Sequence, residues 1–279
     1  MEKPWGLSVS VVVYRSHAAQ LTRTLDSLAS ACDVLTSPSQ AMRIHFFLID
    51  NGGLSDVAAS VDNLRACHVT CTIVSGHGNI GYGRGHNLAI EQANSCYHLI
   101  LNPDVDLDRN ALVDALEFLG THPEVGLLTP RICDGSGRIQ YLCRRYPTLL
   151  DLFVRGFLPS GARRPFAQRL AQYEMRDVIN ERDVVWDPPI VSGCFMLFRM
   201  SVLKRLGGFD PRYFLYFEDY DLSLRTHDVA RVAYVPSVRI LHHGGDAARK
   251  GHLHVKMFLV SALKFYNRFG WKLIWRGRS

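Results

Sequence analysis

Three carboxylates stand within four positions late in the chain, at Glu218, Asp219 and Asp221. They directly follow the aromatic-rich run YFLYF at 213–217. Because such a run is typical of a packed core, we expect these acids at its edge, facing inward or into a cleft. A partly desolvated carboxylate is basic enough to take a proton from an alcohol. The pattern predicts a general base at Asp219 or Glu218, while Asp221 matches an i,i+4 ion pair with Arg225.

A second acidic group, Asp104 and Asp106, lies more than a hundred residues earlier, directly after a predicted buried strand at 97–101. Mg²⁺ and Mn²⁺ prefer carboxylate oxygens and complete their coordination with substrate phosphates. The alternative is a capping role for the helix that follows, since carboxylates favour helix N-termini. His242 and His243 end another predicted strand and are further candidates for metal or phosphate contact. Together these residues predict a divalent metal site.

The elements that position these acids follow an alternating order. The predicted strands cover 7–14, 44–49, 69–74 and 97–101, and the predicted helices cover 17–32 and 88–95. This alternation is typical of a parallel α/β sheet, in which ligands bind beyond the carboxyl ends of the strands. Polar residues follow those ends at Tyr14, Arg15, Asp50, Asn51 and Asp104. The second half is less regular, and 155–182 is predicted to be a basic, loop-rich segment.

A glycine-rich run, GHGNIGYGRGHN at 76–87, follows the third predicted strand. Its spacing differs from Gly-x-Gly-x-x-Gly and it does not follow the first strand, which argues against a dinucleotide-binding fingerprint. Its backbone amides and Arg84 suit a diphosphate instead. Asp50, within Asp-Asn-Gly, is either a turn aspartate that bonds its own backbone or an acceptor for the N–H of uracil or thymine.

Composition narrows the class of protein. Seven cysteines without a Cys-x-x-Cys pair argue against zinc and a disulfide framework, and favour a cytoplasmic location. No apolar run approaches the roughly 18–20 residues of a membrane-spanning helix, and the early first strand argues against a signal peptide. Of the net charge of +6, residues 246–279 carry eight basic and one acidic side chain, so the remainder sums to −1. A nearly neutral body lacks the broad basic face that nucleic-acid binding requires.

The basic tail at 246–279 contains a predicted amphipathic helix at 253–269. Its apolar side includes Leu259, Leu263 and Phe265, and its basic side includes Lys264 and Arg268. A helix of this kind, followed by tryptophans, is typical of docking on the headgroups of an anionic membrane. The alternative is that the apolar side packs on the rest of the protein.

The set of motifs resembles family 2 inverting glycosyltransferases of the GT-A fold, and most closely their rhamnosyltransferase-like branch. The matching pieces span 9–245, almost the whole chain. They are the first strand into Tyr14, Asp50-Asn-Gly52, Asn79-Ile-Gly-Tyr-Gly-Arg-Gly-His-Asn87, Leu101-Asn-Pro-Asp104, Val191-Ser-Gly-Cys194, Gly207-Gly-Phe-Asp210, Tyr216-Phe-Glu-Asp219-x-Asp-Leu-x-x-Arg225 and His242-x-x-Gly245.

By this resemblance Asp50 holds the nucleobase, Asp104 holds Mg²⁺ or Mn²⁺ on the donor diphosphate, and Asp219 is the base. The implied metal set is Asp104, Asp106 and His242. The implied nucleotide-sugar set is Tyr14, Arg15, Asp50, Asn51, Asn79, Gly81, Arg84, Asn87 and Asn102. The implied acceptor or sugar contacts are Ser192, Gly193, Asp221 and Arg225. The resemblance also implies a donor-binding half at 1–110 and an acceptor-binding, catalytic half at 111–245.

The expected reaction moves L-rhamnose from dTDP-rhamnose to a hydroxyl of a lipid-linked or lipopolysaccharide glycan such as O-antigen, at the cytoplasmic face of the plasma membrane. One alternative is a sugar-1-phosphate nucleotidyltransferase, but such an enzyme carries a glycine-rich arginine motif where this chain has Tyr14-Arg-Ser16. The other alternative is a non-catalytic membrane-surface module built around the basic tail.

Overall fold

The computed structural model describes residues 5–37, 41–54, 56–244 and 252–272. Within these residues, nine strands form one sheet in the order β3-β2-β1-β4-β8-β6-β9-β5, with β7 paired to β9. The strands are β1 (Trp5–Val13), β2 (Ile44–Asp50), β3 (Val69–Val74), β4 (Ser95–Leu101), β5 (Val105–Leu107), β6 (Val125–Cys133), β7 (Val185–Trp186), β8 (Phe195–Arg199) and β9 (Arg231–His242). The α-helices are α1 (Ala18–Thr36), α2 (Ala58–Ala66), α3 (Tyr82–Gln92), α4 (Ala111–Thr121), α5 (Leu149–Phe157), α6 (Ala167–Tyr173), α7 (Met200–Leu206), α8 (Glu218–Thr226) and α9 (His252–Phe269).

The sheet is mixed and is flanked by helices, which confirms the predicted fold class. β1 runs parallel to both β2 and β4, and β2 runs parallel to β3. Their carboxyl ends therefore meet at one edge, as the sequence predicts. β6 is parallel to β9, whereas β8 and β5 pair antiparallel with their neighbours. The antiparallel strand β8 joins the two halves of the sheet.

Strand β1 shows why both faces of the sheet are covered. Leu7 and Val9 pack into the core cluster that contains α1, because alternate side chains of a strand face opposite sides. Ser10 faces α3, and its hydroxyl lies 2.7 Å from His86 Nδ1 and 2.9 Å from His98 Nε2. Burial lowers the pKa of both imidazoles, so this internal chain of polar groups is neutral.

Two stretches differ from the sequence prediction. Helix α3 begins at Tyr82, inside the glycine-rich run, and not at residue 88. Gly81 makes this start feasible: its φ is +94°, and a Cβ there would collide with the carbonyl oxygen of Phe214. The segment 155–182 is also largely helical, since it contains the end of α5, a 3-10 helix (Ser160–Phe166) and α6.

The C-terminal helix α9 packs against the rest of the domain with most of its apolar side. Phe265 and Tyr266 are buried in a cluster with Tyr213 and Phe217, the aromatic residues that precede Glu218. The cationic side of α9 is used in the same way: Lys264 Nζ donates to the carbonyl oxygen of Arg212, and Arg268 bonds Asp210 and Asp221. The alternative in which this helix packs on the domain therefore describes most of α9.

Some sequence predictions fall outside the described residues. These are Gly245 of the His-x-x-Gly motif and the tail residues 246–251 and 273–279. No helix within the described part of the chain is long and apolar enough to cross a bilayer.

Candidate active site

Glu218 and Asp219 begin helix α8, and the backbone before them is unusual. Tyr216 and Phe217 have left-handed φ angles of +70° and +66°. Large side chains rarely adopt this region, so surrounding contacts must hold it. The aromatic cluster with α9 provides those contacts. The turn leaves Glu218 only 5% exposed, and its Oε2 has no hydrogen-bond partner among the described residues.

Asp219 is held by backbone donors from two elements. The N–H of Gly193 donates to Oδ2 at 3.1 Å, and the N–H of Tyr220 donates to Oδ1 at 3.0 Å. A Cβ on Gly193 would lie 3.3 Å from the Cβ of Asp219. The turn before β8 can therefore approach Asp219 this closely because residue 193 is glycine. The carboxylate is thereby fixed over the turn that precedes β8.

The two neighbouring acids differ in protonation. Burial, and then the negative charge of Asp219, raise the pKa of Glu218 to about 8. Burial also raises the pKa of Asp219, but the N–H groups of Gly193 and Tyr220 and the charge of Arg144 oppose that shift. Burial therefore favours the protonated form of Glu218 most strongly, while the donors around Asp219 favour its ionised form. Of the two, Asp219 is the better candidate for accepting a proton.

Asp104 and His242 form the second group at this edge. Asp104 lies in the turn between β4 and β5, and the pairing of β5 with β9 places Val105 opposite His242. His242 Nε2 is 3.6 Å from Asp104 Oδ1, which is buried and has no hydrogen-bond partner within the described residues. A buried carboxylate oxygen of this kind is costly unless a ligand contacts it.

Gln140 fixes the tautomer of His242. The amide Nε2 of Gln140 donates to the carbonyl oxygen of His242 at 2.8 Å, so its Oε1 must accept from His242 Nδ1–H, at 3.0 Å. Burial lowers the pKa of His242 more than the Asp104 charge raises it. The imidazole is therefore neutral, with a free lone pair on Nε2 directed at Asp104, as a metal ligand requires.

Asp106 pairs with the other histidine, since its Oδ2 is 2.6 Å from His243 Nε2, while its Oδ1, like that of Asp104, is buried with no hydrogen-bond partner within the described residues. Within the described chain no group of three or more His, Cys, Asp or Glu side chains is suited to hold a metal. Asp104 and His242 instead supply a carboxylate and an imidazole. That donor set fits Mg²⁺ or Mn²⁺ bound jointly with a substrate diphosphate, since these ions commonly use one or two carboxylates plus phosphates.

The two acidic groups meet around Gly193 and Cys194. The hydroxyl of Tyr82 donates to the carbonyl oxygen of Gly193 at 2.7 Å. Its pKa is raised well above its ordinary value by burial and then by nearby negative groups, among them Glu218, Asp219 and Asp104. Burial raises the pKa of the Cys194 thiol to about 12, with Asp104 and Asp219 adding to the effect. The charges of both acidic groups therefore raise the pKa of Tyr82 and of Cys194, which indicates that both groups lie near these two side chains.

A cleft of about 1230 Å³ opens beside this site. One wall carries residues that follow β1 and β4, including Tyr14, Arg15 and Asp104, together with His242 from β9. The rest of the lining comes from the irregular middle of the chain and is mainly basic, with Arg144, Arg155, Arg176 and Glu174; we call it the basic wall. The cleft is large enough for a nucleotide and a sugar.

The nucleotide side contains several predicted residues, and two of them serve the loop itself. Asn51 is buried; its Nδ2 donates to the carbonyl oxygen of Gly81 at 3.0 Å, and Asn79 Oδ1 accepts the N–H of Gly81 at 3.1 Å. Asp50 forms the turn that the sequence suggests, since Oδ1 accepts the N–H of Gly52 at 2.8 Å. Asn51 and Asn79 therefore shape the glycine loop.

Three more residues of the predicted nucleotide-sugar set are Tyr14, Arg15 and Asn102, and Ser192 belongs to the predicted acceptor or sugar set. Tyr14 is 48% exposed and Arg15 is exposed beside it, its guanidinium 5.3 Å from the centre of the Tyr14 ring. Asn102 is half-buried, and its backbone N–H donates to the carbonyl oxygen of Cys194. Ser192 is half-buried, and its Oγ accepts the N–H of Cys194 at 3.3 Å. Asn102 and Ser192 therefore adjoin Cys194, whereas Tyr14 and Arg15 follow the end of β1.

Four residues that the sequence predicts as ligand contacts form hydrogen bonds or ion pairs with other protein groups. Asn87 bonds both the carbonyl oxygen and the N–H of Phe209, and Arg84 Nε donates to the carbonyl oxygen of Pro211. Asp221 is fully buried and pairs with Arg225 at 2.5 Å, as the helical spacing predicts. Arg225 also donates to the carbonyl oxygens of Leu206 and Gly208. Their partners in the structure are protein groups, and their roles as ligand contacts stay predictions.

Three site residues were missed from the sequence. Tyr82 begins α3 and contacts Gly193, but its position in the glycine run concealed the helix. Gln140 sets the orientation of His242, and no motif around it in the sequence marks that role. Arg144 is 5% exposed and lines the cleft. A buried arginine cannot be recognised from one sequence, because its partners are distant in the chain.

Comparison with known proteins gives the family. The model of the glycosyltransferase like family 2 matches residues 4–253. The chain belongs to this family. A curated relative from Mycobacterium tuberculosis, an N-acetylglucosaminyl-diphospho-decaprenol L-rhamnosyltransferase, is 32% identical over 59% of this chain and 56% of its own length. Rhamnosyltransferase WbbL of Escherichia coli K12 is 27% identical over 60% of this chain and 62% of its own length. The matched part thus spans little more than half of each relative.

Solved structures agree on the GT-A fold. A mannosyltransferase from Pyrobaculum calidifontis in complex with GDP-Man and Mn²⁺ matches with a TM-score of 0.59 and 17% identity, over 94% of this chain and 68% of that one. TarS 1-349 of S. aureus in complex with UDP-GlcNAc matches with a TM-score of 0.57 and 16% identity, over 94% and 67% of the two chains. At these identities the likeness shows the fold alone.

Proposed function

We propose that this family 2 protein is a metal-dependent inverting glycosyltransferase that moves a sugar from a nucleoside-diphosphate donor to a hydroxyl of a glycan acceptor. The observation that carries this proposal is the arrangement of Asp104 with His242 and of Asp219 with Glu218 around Gly193. A metal-binding pair that lines the cleft and a proton-accepting pair beside it are the two parts that such a transfer needs, and the charges of Asp104 and Asp219 both raise the pKa of Tyr82 and of Cys194.

Asp219 performs the proton step in this proposal. The acceptor hydroxyl gives its proton to the Asp219 carboxylate while its oxygen bonds the anomeric carbon of the sugar. The bond from that carbon to the diphosphate breaks at the same time, and its electrons leave with the nucleoside diphosphate. A single displacement of this kind inverts the configuration. Protonated Glu218 limits the local negative charge to one unit, which favours approach of the donor.

Asp104 and His242 hold the divalent ion, and Gln140 keeps His242 in the required tautomer. The bound ion neutralises charge that develops on the departing diphosphate. On the donor side, Asp50, Tyr14, Arg15 and Asn102 line the edge at which the parallel strands end. We therefore assign residues 1–110 to donor binding and 111–245 to acceptor binding and catalysis.

For the donor, we propose dTDP-rhamnose. Both curated relatives are named rhamnosyltransferases. For the acceptor, we propose a lipid-linked or lipopolysaccharide glycan.

The decisive experiment measures product release with a panel of nucleotide sugars and glycan acceptors, with Mn²⁺ or with EDTA. We expect release of nucleoside diphosphate, suppressed by EDTA. A nucleotidyltransferase would release no nucleoside diphosphate from this panel, and would release pyrophosphate only when given a nucleoside triphosphate and a sugar 1-phosphate. Release of nucleoside diphosphate at full rate in EDTA would contradict the metal role of Asp104.

Asp104→Asn and Asp106→Asn form a matched pair for the metal assignment. We expect Asp104→Asn to weaken Mn²⁺-dependent donor binding by at least about tenfold, because the ion contributes several kcal/mol at such sites. Asp106→Asn should stay within about threefold of wild type, since Asp106 faces His243. Isothermal titration with the nucleoside diphosphate measures both. Equal losses would place both carboxylates on the metal.

A docking role on anionic membranes also stays a proposal, now limited to the outer side of α9. Leu259 is 49% exposed and Leu263 is 51% exposed, while Lys256 lies exposed nearby. We expect Leu259→Ser/Leu263→Ser to reduce flotation with phosphatidylglycerol vesicles without lowering the melting temperature. If wild type ignores these vesicles at low salt, α9 serves only to support the catalytic turn.

A further inference from the structure

Three arginines converge on a single carboxylate at the basic wall of the cleft. Glu174 Oε1 lies 3.7 Å from Arg144 Nη1 and 3.8 Å from Arg155 Nε, and its Oε2 lies 2.6 Å from Arg176 Nη2. One carboxylate balances one of these charges. The group therefore carries an excess of two positive charges beside the cleft.

Two more arginines extend this group into a side cavity. Arg163 and Arg164, from the 3-10 helix, line a cavity of about 360 Å³ together with Arg155, Glu174 and Arg176. Within the described residues no carboxylate lies at ion-pair distance from either of them. We call Arg144, Arg155, Arg163, Arg164 and Arg176 the arginine pocket; with Glu174 its net charge is +4.

Neighbouring arginines show that this excess is local. Arg145 pairs with Asp177 at 2.6 Å, and Arg169 pairs with Asp151 at 2.6 Å. The same stretch of chain thus neutralises the arginines that point elsewhere. Arginines that line one cavity without matching acids give it a positive potential that attracts an anion.

Arg144 provides a second, independent sign of a ligand. Its side chain is 6% exposed, yet Nη1 has no hydrogen-bond partner among the described residues. The 3.7 Å to Glu174 is too long for a hydrogen bond. A buried charged donor left open costs free energy, which a ligand oxygen would recover. Arg144 also lines the main cleft, so such an oxygen would sit between the arginine pocket and the acceptor side of the site.

We propose that the arginine pocket binds a phosphate or diphosphate group carried by the acceptor. This inference rests on the proposed function. Guanidinium groups match phosphate oxygens in bidentate geometry, and a charge of +4 suits a multiply charged group. The donor diphosphate is assigned above to Asp104 and His242. Arg144, Arg155 and Arg176 line the main cleft with that pair, whereas Arg163 and Arg164 line the side cavity, which contains no residue from the edge where β1–β4 end. Leu170 and two alanines, at 167 and 171, line the same cavity and suit an apolar chain attached to the phosphate.

Inorganic pyrophosphate in EDTA tests the pocket without the metal. Isothermal titration of the full chain should detect binding that weakens by at least about tenfold in Arg155→Gln/Arg164→Gln, because the variant loses two charged groups that can donate hydrogen bonds to the anion. The matched control, Arg23→Gln/Arg65→Gln, removes the same charge from exposed positions on α1 and α2. It should bind within about twofold of wild type. Absence of binding to wild type, or equal losses in both variants, would overturn the proposal.

A second measurement separates acceptor from donor and from lipid headgroups. The pocket variant should raise KM for a short-chain alkyl diphosphate-linked sugar by at least about tenfold relative to the same sugar as an alkyl glycoside, and its affinity for the nucleoside diphosphate with Mn²⁺ should equal that of wild type. A loss of nucleotide affinity would reassign the arginines to the donor. Loss of binding to phosphatidylglycerol vesicles with unchanged KM ratio would identify a headgroup site and refute the acceptor role. Asp104→Asn tests donor binding separately from the arginine pocket. A failure of the proposed function can therefore be distinguished from a failure of the acceptor-phosphate proposal.

Discussion

The charges of Asp104 and Asp219 both raise the pKa of Tyr82 and of Cys194, but the fold holds the two carboxylates differently. Asp219 accepts backbone N–H groups on both oxygens, from Gly193 and Tyr220. Asp104 Oδ1 is buried with no hydrogen-bond partner in the described chain and instead faces His242 Nε2. Donors on both oxygens orient an ionised carboxylate, whereas an oxygen without a donor suits a cation. The comparison teaches that hydrogen-bond donors, more than acidity alone, separate a base from a metal ligand.

The largest expected effect comes from removing the base. Asp219→Asn keeps the shape and the size of the side chain but cannot accept the proton, so kcat should fall by about 10²–10⁴-fold. Affinity for the nucleoside diphosphate with Mn²⁺ should change little. Steady-state kinetics together with titration of the nucleotide measures both quantities.

Glu218→Gln is the control for that substitution. Because Glu218 holds its proton near neutral pH, its amide replacement should keep most of kcat at pH 7. If Glu218→Gln loses as much activity as Asp219→Asn, the base is the coupled pair or Glu218 itself, and the distinction between the two carboxylates fails.

The metal side of the comparison depends on Gln140. Gln140→Leu removes the acceptor that fixes the Nδ1–H tautomer of His242, so Mn²⁺ affinity should fall by about 10–100-fold, as is usual for such supporting residues. Electron paramagnetic resonance of free Mn²⁺ in the presence of the nucleoside diphosphate measures this change. Asp106→Asn alters the neighbouring His243 pair and should leave the affinity close to wild type. Equal affinities in wild type and Gln140→Leu would remove His242 from the metal site.

The regular half of the fold is the part that sequence patterns predict well. β1 to β4 are apolar runs of strand length, and parallel pairing places Asp50 and Asp104 at one edge without further information. The same patterns do not predict the start of α3, because glycines disfavour helices. Glycine is required at position 81 because a Cβ there would collide with the carbonyl oxygen of Phe214. Local preference there is overridden by tertiary packing.

The places where sequence patterns leave a partner undetermined share a physical cause. Arg84 and Asn87 are polar and lie in a predicted binding loop, but their partners are backbone groups of 209–211. The apolar side of α9 predicts burial equally in a membrane or a protein, and the packing of Phe265 on Phe217 is a contact between distant segments. A pattern gives the polarity of a face and not the identity of the partner.

The smallest expected effect tests the protonation of Glu218 through stability. Its pKa is raised from 4.5 when unfolded to about 8 when folded, so the folded state binds one more proton than the unfolded state between these values. Stability from this group is full below pH 4.5 and is lost as pH rises toward 8. Between pH 6 and 7, wild type should therefore lose up to about 1.4 kcal/mol of unfolding free energy relative to Glu218→Gln.

Urea unfolding of both proteins at the two pH values measures that difference, and comparing the variants cancels the contributions of the other titrating groups. Above pH 8 the difference should level off. If wild type and Glu218→Gln change in parallel between pH 6 and 7, Glu218 is ionised in the folded protein. The pair would then carry two negative charges, and Glu218 would become an equal candidate for the base.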